Sequence, residues 1–206
     1  MDDIRLVAGL GNPGEEYRGT RHNVGFDAID LLADGLKVEM DREKFGASFG
    51  QINIGSKKLI LLKPMLFMNN SGQAVAAVCN FYKIAPGDIL ALTDDLALEP
   101  GMIRIRSGGS AGGHNGLADI VAKLGTDQFG RLRIGIGGKG DWAGRDYVLS
   151  RPDKAERELI DKAVMEATKA AMVWLTEGIA VAMNKFNKRM SPGETGEGKE
   201  NLKDKN

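Results

Sequence analysis

The sequence is poor in the residues that cross-link, ligate metals or build a charged field. Cys79 is the one cysteine among 206 residues. An intramolecular disulfide is therefore impossible, and a reducing, cytoplasmic setting is expected. Histidine occurs twice, at His22 and His114, with no H-x-x-x-H or C-x-x-C spacing, so no zinc pattern is present and no metal is expected. Lys plus Arg equals Asp plus Glu at 28 each. No whole-protein field then gathers a polyanion, and a nucleic-acid partner has to be gripped by a local patch. Long apolar runs are missing too. The C-terminal pattern is interrupted by Glu166, Lys169 and Glu177, so no membrane partner is expected. Met1-Asp-Asp leads directly into an apolar stretch, which leaves no room for a signal peptide.

Glycine, by contrast, is abundant: 28 residues, about twice ordinary usage. Most sit between apolar runs, in places where loops are expected. Ile4 to Leu10 is too short for a helix and has no polar face, which suits a strand covered on both sides. Gly9, Gly11 and Gly14 then turn the backbone, and Pro13 stiffens the turn. Helical periodicity starts at Val24 and continues through Ala28, Leu31, Leu32 and Leu36. His22 thus falls beyond the carboxyl end of a central strand, where open α/β sheets bind ligands.

Further along, Lys44 to Ile54 and Lys57 to Leu62 read as a hairpin around Gly55-Ser56. Asn70 or Ser71 caps a helix with Val75, Val78, Cys79 and Tyr82 on its inner face. Ile89 to Thr93 is a buried strand ending in Asp94-Asp95, and Met102 to Arg106 alternates like a half-exposed strand. A glycine-rich turn, 107–116, precedes a short helix over 117–124, and Arg131 to Gly137 forms the last strand. Gly138 to Arg145 is expected to be a mobile loop. The region 152–189 is helical with a break near Gly178, and the polar stretch 191–206 is expected to be disordered. The fold class is α/β: one domain over 1–190, a twisted mixed sheet flanked by helices.

Two motif matches fail on context. Gly9-x-Gly11-x-x-Gly14 fits a dinucleotide fingerprint, but Pro13, Glu15 and Glu16 stand where a helix should meet the pyrophosphate. Gly108-x-Ser110-x-Gly112 fits a nucleophile elbow, yet the only later histidine is His114, with no acid between them. Cys79 lies on an apolar helix face, as a core residue does. A metal site built from His22, Asp94 and His114 stays open to the sequence.

What remains is a base acting on water. Imidazole is largely neutral at cellular pH, which makes His22 the natural general base. Asp94, at the end of a neighbouring strand, can orient it, whereas Asp95 points the other way if the strand stays extended. Asn12, Asn69 and Asn115 occupy the other turns. A carboxamide there either shapes the turn or recognises peptide groups and an oxyanion. Met68 offers an apolar contact or core packing.

Together these stretches resemble bacterial peptidyl-tRNA hydrolases. The match is carried by Gly9-Leu-Gly-Asn-Pro-Gly14, Tyr17, Thr20-Arg-His-Asn-Val-Gly-Phe26, Lys63-Pro and Phe67-Met-Asn with Ser71-Gly72. Thr93-Asp-Asp-Leu96, Gly108 to Leu117 and Arg131 to Gly137 complete it. The resemblance implies hydrolysis of the ester between a peptide and the 3′ ribose of tRNA, by a cofactor-free monomer. By position it implies that His22 is the base, Asp94 its orienting acid, and Asn115 a water-placing residue. Asn12, Asn69 and Asn115 would bind the peptide and 3′ end, Tyr17 and Met68 would line the cleft, and Gly112 and Gly113 would form a gate. Residues 138–147 would form part of a lid. Arg106 and Arg133 would meet the tRNA 5′ phosphate. Ala97 departs from the family pattern, where an aspartate is common, and this puts a local hydrogen bond in question. The rival classes are a non-catalytic RNA-binding module and a dinucleotide oxidoreductase.

Overall fold

The computed structural model describes residues 3–138 and 144–187. Seven strands form one mixed sheet: β1 (Asp3–Gly9), β2 (Arg42–Lys44), β3 (Ala47–Ile54), β4 (Lys57–Pro64), β5 (Ile89–Asp95), β6 (Ile103–Arg106) and β7 (Gly130–Gly135). Their order across the sheet is β2-β3-β4-β1-β5-β7-β6. The central four run parallel, while β3 pairs antiparallel with β4 and with β2, and β6 pairs antiparallel with β7. The carboxyl ends of β1, β5 and β7 therefore share one rim, where the functional side chains gather.

Among the described residues, six α-helices flank the sheet: α1 (Val24–Leu36), α2 (Ser71–Tyr82), α3 (Asn115–Leu124), α4 (Arg145–Val148), α5 (Lys154–Glu177) and α6 (Ile179–Phe186). Strand alternation sorts the central side chains into two cores. Val7, Leu59, Leu61, Leu90, Leu92 and Ile134 meet α1, α5 and α6 on one face. Leu6, Ala8, Ile60, Leu62 and Ala91 meet α2 and α3 on the other. This is why β1 and β5 read as unbroken apolar runs.

Several local details differ from the sequence reading. A short edge strand, β2, precedes the hairpin. Asn70 stands at the N-cap of α2 without a side-chain cap bond, and the Ser71 hydroxyl donates to the Met68 carbonyl instead. Helix α3 begins two residues earlier than expected, because His114 caps it. Arg145–Val148 is a short helix inside the stretch expected as loop or lid, and 139–143 lie outside the described residues, as does 191–206.

Helix α1 is pressed onto the sheet rim through glycine. A Cβ at Gly25 would lie 2.4 Å from the Leu10 carbonyl oxygen and 2.6 Å from that of Leu92. One at Gly9 would lie 2.1 Å from the Gly25 carbonyl oxygen. Backbone meets backbone here, which brings the turn before α1 beside the end of β5. Gly25→Ala should lower the denaturation midpoint by about 1–3 kcal/mol of stability. Alanine's helix propensity returns up to about 1 kcal/mol, but neither carbonyl can rotate away. An unchanged or raised midpoint would show that this approach is not required.

Candidate active site

A cleft of about 900 Å³ opens at the carboxyl rim. His22 comes from the turn Arg21–Asn23 that precedes α1, and Asp94 from β5. His22 Nδ1 lies 2.8 Å from Asp94 Oδ1. The same oxygen lies 3.0 Å from His114 Nε2, a contact the sequence reading did not foresee. Asp94 is 6% exposed. Burial opposes its ionisation, but the contacts from His114 and then His22 outweigh burial and hold the carboxyl below the usual carboxylate range.

An ionised Asp94 only accepts hydrogen bonds, so both ring nitrogens facing it carry protons. His22 is then protonated on Nδ1, which leaves the Nε2 lone pair free. For His114 the assignment is fixed twice. Its Nδ1 accepts the Leu117 backbone N–H at 3.2 Å, and its Nε2–H donates to Asp94. This bears on metal binding. His22, Asp94 and His114 present ligand atoms within 4.8 Å of one another. To ligate a cation, His114 would have to give up either its Nε2 proton or its helix-cap bond, whereas His22 could offer its free Nε2 lone pair.

Asn12, Tyr17, Met68, Asn69, Gly112, Gly113, Asn115 and Arg133 also line the cleft. Asn12 is buried, and its side-chain oxygen accepts the Met68 N–H at 2.8 Å. Asn23 holds it by a reciprocal amide pair: the Asn12 N–H donates to Asn23 Oδ1 at 2.9 Å, and Asn23 Nδ2 donates to the Asn12 carbonyl at 3.0 Å. The free hydrogen-bonding group of Asn12 is thus its side-chain NH₂. Asn69 and Asn115 are exposed. Met68 serves both readings: it lines the cleft, yet it is 4% exposed, and a Cβ at Gly116 would lie 2.7 Å from its sulfur.

At the mouth, Tyr17 meets Phe67 edge-on with ring centroids 6.3 Å apart, and Phe67 is 55% exposed. Gly112 and Gly113 adopt φ values of 59° and 81°, a region closed to most side chains. The loop before them is held from below. Arg131, fully buried, donates to the carbonyls of Gly109, Ser110 and Asp127. Ser110, the serine of the elbow-like motif, thus contributes a carbonyl to the loop's anchorage. Cys79 is buried, which pushes its thiol up to about 12 and removes it as a nucleophile.

Arg133 donates to Asp95 Oδ2 at 3.2 Å and to the Ser110 carbonyl at 3.3 Å. Arg106 is exposed on β6 and does not line the cleft. Register nevertheless links the two. Arg104 stands opposite Arg133 and Arg106 opposite Arg131, so four arginines occupy one face of β6 and β7. Like charges placed opposite one another are unfavourable without a counter-charge. The sequence showed the alternation, but the register needed to pair Arg104 with Arg133 is a tertiary fact. At Ala97, the backbone N–H donates to Asp95 Oδ1 at 2.8 Å, so a hydrogen bond persists there without an acidic side chain.

A buried carboxylate fixing an imidazole at the open rim of a mixed α/β sheet defines a class of site built to move a proton to or from a bound substrate or water. The chain belongs to the peptidyl-tRNA hydrolase family, whose model matches residues 6–193. It is 49% identical over 186 residues to a peptidyl-tRNA hydrolase of Desulforamulus reducens, covering 90% of each chain. It is 46% identical to one from Clostridium botulinum, covering 88% of this chain and 96% of that one. The crystal structure of the Acinetobacter baumannii peptidyl-tRNA hydrolase superposes with a TM-score of 0.83 at 41% identity, covering 91% of this chain and 96% of that one.

The depressed Asp94 carboxyl makes stability depend on pH. Its folded value lies below its unfolded one. The contribution is therefore complete above the ordinary carboxylate value of about 3.9 and fades as pH falls below it. Asp94→Asn should show a larger deficit in denaturation midpoint at pH 5 than at about pH 2.5. An equal deficit at both would mean that these contacts do not hold the carboxyl ionised.

Proposed function

We propose that this chain hydrolyses the ester linking a peptide's C-terminal carbonyl to the 3′-terminal ribose of tRNA, with His22 as general base. The observation that carries the assignment is the His22–Asp94 contact, which leaves Nε2 as the ring's free lone pair. Nε2 takes a proton from water as the water oxygen bonds to the ester carbonyl carbon. The carbonyl π electrons move to oxygen, and the resulting oxyanion is met by carboxamide N–H donors. Collapse of the intermediate breaks the acyl–oxygen bond. The ribose oxygen leaves and takes the proton held by His22, giving free tRNA and a peptide carboxylic acid, which releases its remaining proton to solvent. An ester has a better leaving group than an amide, so base, water and oxyanion donors suffice without a covalent intermediate.

In this reading Asp94 orients His22, and Asn115, at the start of α3, places the water. Asn12 supplies a donor through its NH₂, and Asn69 and Asn115 bind the peptide and the 3′ end. Tyr17 and Met68 shape the cleft, and Gly112 and Gly113 let the substrate backbone come close. Arg106 and Arg133 meet the terminal phosphate of the acceptor stem, with Arg104 extending the same basic face. A local arginine face on a chain of zero net charge favours an enzyme that grips an acceptor end and releases it. We take the enzyme to act as a cofactor-free monomer in the cytoplasm. No helix among the described residues is long and apolar enough to cross a membrane.

The assignment is tested by comparing N-acetyl-aminoacyl-tRNA with the same tRNA bearing a free amino group, for the wild type and His22→Ala. Cleavage of the blocked ester alone is expected, falling about 10²–10⁴-fold in the mutant, or roughly 3–5 kcal/mol of barrier. A loss under tenfold would remove His22 from the role. Cleavage of both substrates would make the protein a looser esterase. Binding of tRNA without any cleavage would make it an RNA-binding module. Separately, Arg106→Ala should weaken full-length tRNA substrates and flatten the log–log salt dependence of KM by about 0.7–0.9, while sparing a short 3′-end fragment. Equal loss on tRNA and fragment would refute the phosphate contact.

A further inference from the structure

The turn that carries His22 is three residues long, and each residue is tied to a different part of the fold. His22 faces Asp94, Asn23 holds Asn12, and Arg21 reaches Ser150 and Glu156. Arg21 is 7% exposed. Its Nε donates to Glu156 Oε1 at 2.9 Å, and Nη2 donates to Glu156 Oε2, a two-pronged pairing. Nη1 donates to the Ser150 hydroxyl at 2.6 Å and to the Ser150 carbonyl at 3.3 Å. The Arg21 backbone N–H donates to that same carbonyl at 3.1 Å. The guanidinium carbon stacks 4.3 Å from the Tyr147 ring centroid, and the Tyr147 hydroxyl lies 3.1 Å from Glu156 Oε1.

Such a cluster is a poor way to gain stability alone. A buried arginine–carboxylate pair roughly breaks even against apolar packing once desolvation is counted. What a planar fork does supply is geometry, because two parallel hydrogen bonds fix both distance and orientation. The segment it fixes matters, since Val148 and Leu149 line the cleft that His22 also lines. One side chain therefore sets the base-bearing turn against the neighbouring segment of the cleft lining. Arg21 and His22 are adjacent in a tight 3-10 turn, so a displacement at one reaches the other with little slack.

We propose that Arg21, clamped by Glu156, Ser150 and Tyr147, is a positioning residue for proton transfer that holds His22 in register with Asp94 and with the cleft wall at 148–149. This rests on the reading of His22 as the base. Misplacement of a reacting group by about 1 Å costs on the order of a hundredfold in rate, so small relaxations of the clamp show in turnover before they show in binding.

The test is a double-mutant cycle on the full chain, read as kcat and KM for N-acetyl-aminoacyl-tRNA at a temperature where thermal denaturation shows every variant folded. Arg21→Lys keeps the charge and loses the fork. It should lower kcat about ten- to hundredfold with KM changed by less than about threefold. In the His22→Ala background it should change the residual rate by less than about twofold, because there is no imidazole left to misplace. Glu156→Gln, on α5 outside the cleft, should lower kcat by about three- to tenfold with the same dependence on His22, and it carries the test if Arg21→Lys does not fold. Equal factors lost in both backgrounds, or a loss confined to KM or to the melting temperature, would overturn the positioning role. If His22→Ala itself turns over at the wild-type rate, the base assignment falls instead, and the two failures are distinguishable.

Discussion

A carboxylate buried beside two imidazoles sets the terms for the rest of the rim. Removing a charge from water costs several kcal/mol unless hydrogen bonds replace the lost hydration. Asp94 obtains two such bonds at a single oxygen, from His22 Nδ1 and His114 Nε2. Each donor is in turn constrained by its own element. His114 cannot rotate freely, because its other nitrogen caps α3. His22 cannot drift, because it sits between Arg21 and Asn23 in a turn anchored on both sides. The ionised state of Asp94 is thus a product of two helix starts converging on one strand end, and the free lone pair on His22 follows from it.

That convergence depends on how closely α1 approaches the sheet. With any side chain at position 25, the helix would stand off from the Leu10 and Leu92 carbonyls, and His22 would move with it. A similar economy appears between α2 and α3, where a Cβ at Gly72 would lie 2.3 Å from the Asp119 carbonyl oxygen. This contact fixes α3, and so His114 and Asn115, relative to the loop that carries Met68 and Asn69. Glycine-mediated packing thereby does for the site what longer side chains do elsewhere: it sets distances by backbone contact, which cannot relax through rotamers.

Local pattern made much of this legible. The strands β1, β4 and β5 announce themselves as short apolar runs, and α1 and α2 as periodic ones. His22 and Asp94 were readable as a pair because each ends or follows a strand expected at the sheet centre, and parallel strand ends share a rim. What stayed hidden depends on register or on distant chain segments. His114 drew notice only as a conceivable metal donor, since nothing local says that a helix-capping histidine will turn its second nitrogen to a carboxylate 20 residues away. Arg21 and Glu156 are 135 residues apart, and no spacing rule connects them. Arg131 and Arg133 stand two apart in the run Arg131-Leu-Arg, yet Arg131 is buried against loop carbonyls while Arg133 reaches the cleft. The turn at Asn70 misled in the opposite way, because its cap-forming residue type sits at the cap position without making the bond.

The neighbouring carboxylates at the end of β5 show how strand alternation divides labour. Asp94 turns to the imidazoles, whereas Asp95 turns to the Arg133 guanidinium and the Ala97 N–H. Two adjacent charges pointing the same way would compete for protons, but pointing apart they serve different chemistry. Arg133 divides its donors between Asp95 and the Ser110 carbonyl of the glycine loop. An arriving phosphate would compete for those same donors. The carboxylate that meets the arginine face is thus one peptide bond from the carboxylate that contacts His22. Because β5 is central and paired on both sides, neither carboxylate can shift without moving the other, so the Arg133 guanidinium and the His22 imidazole are referenced to one rigid strand.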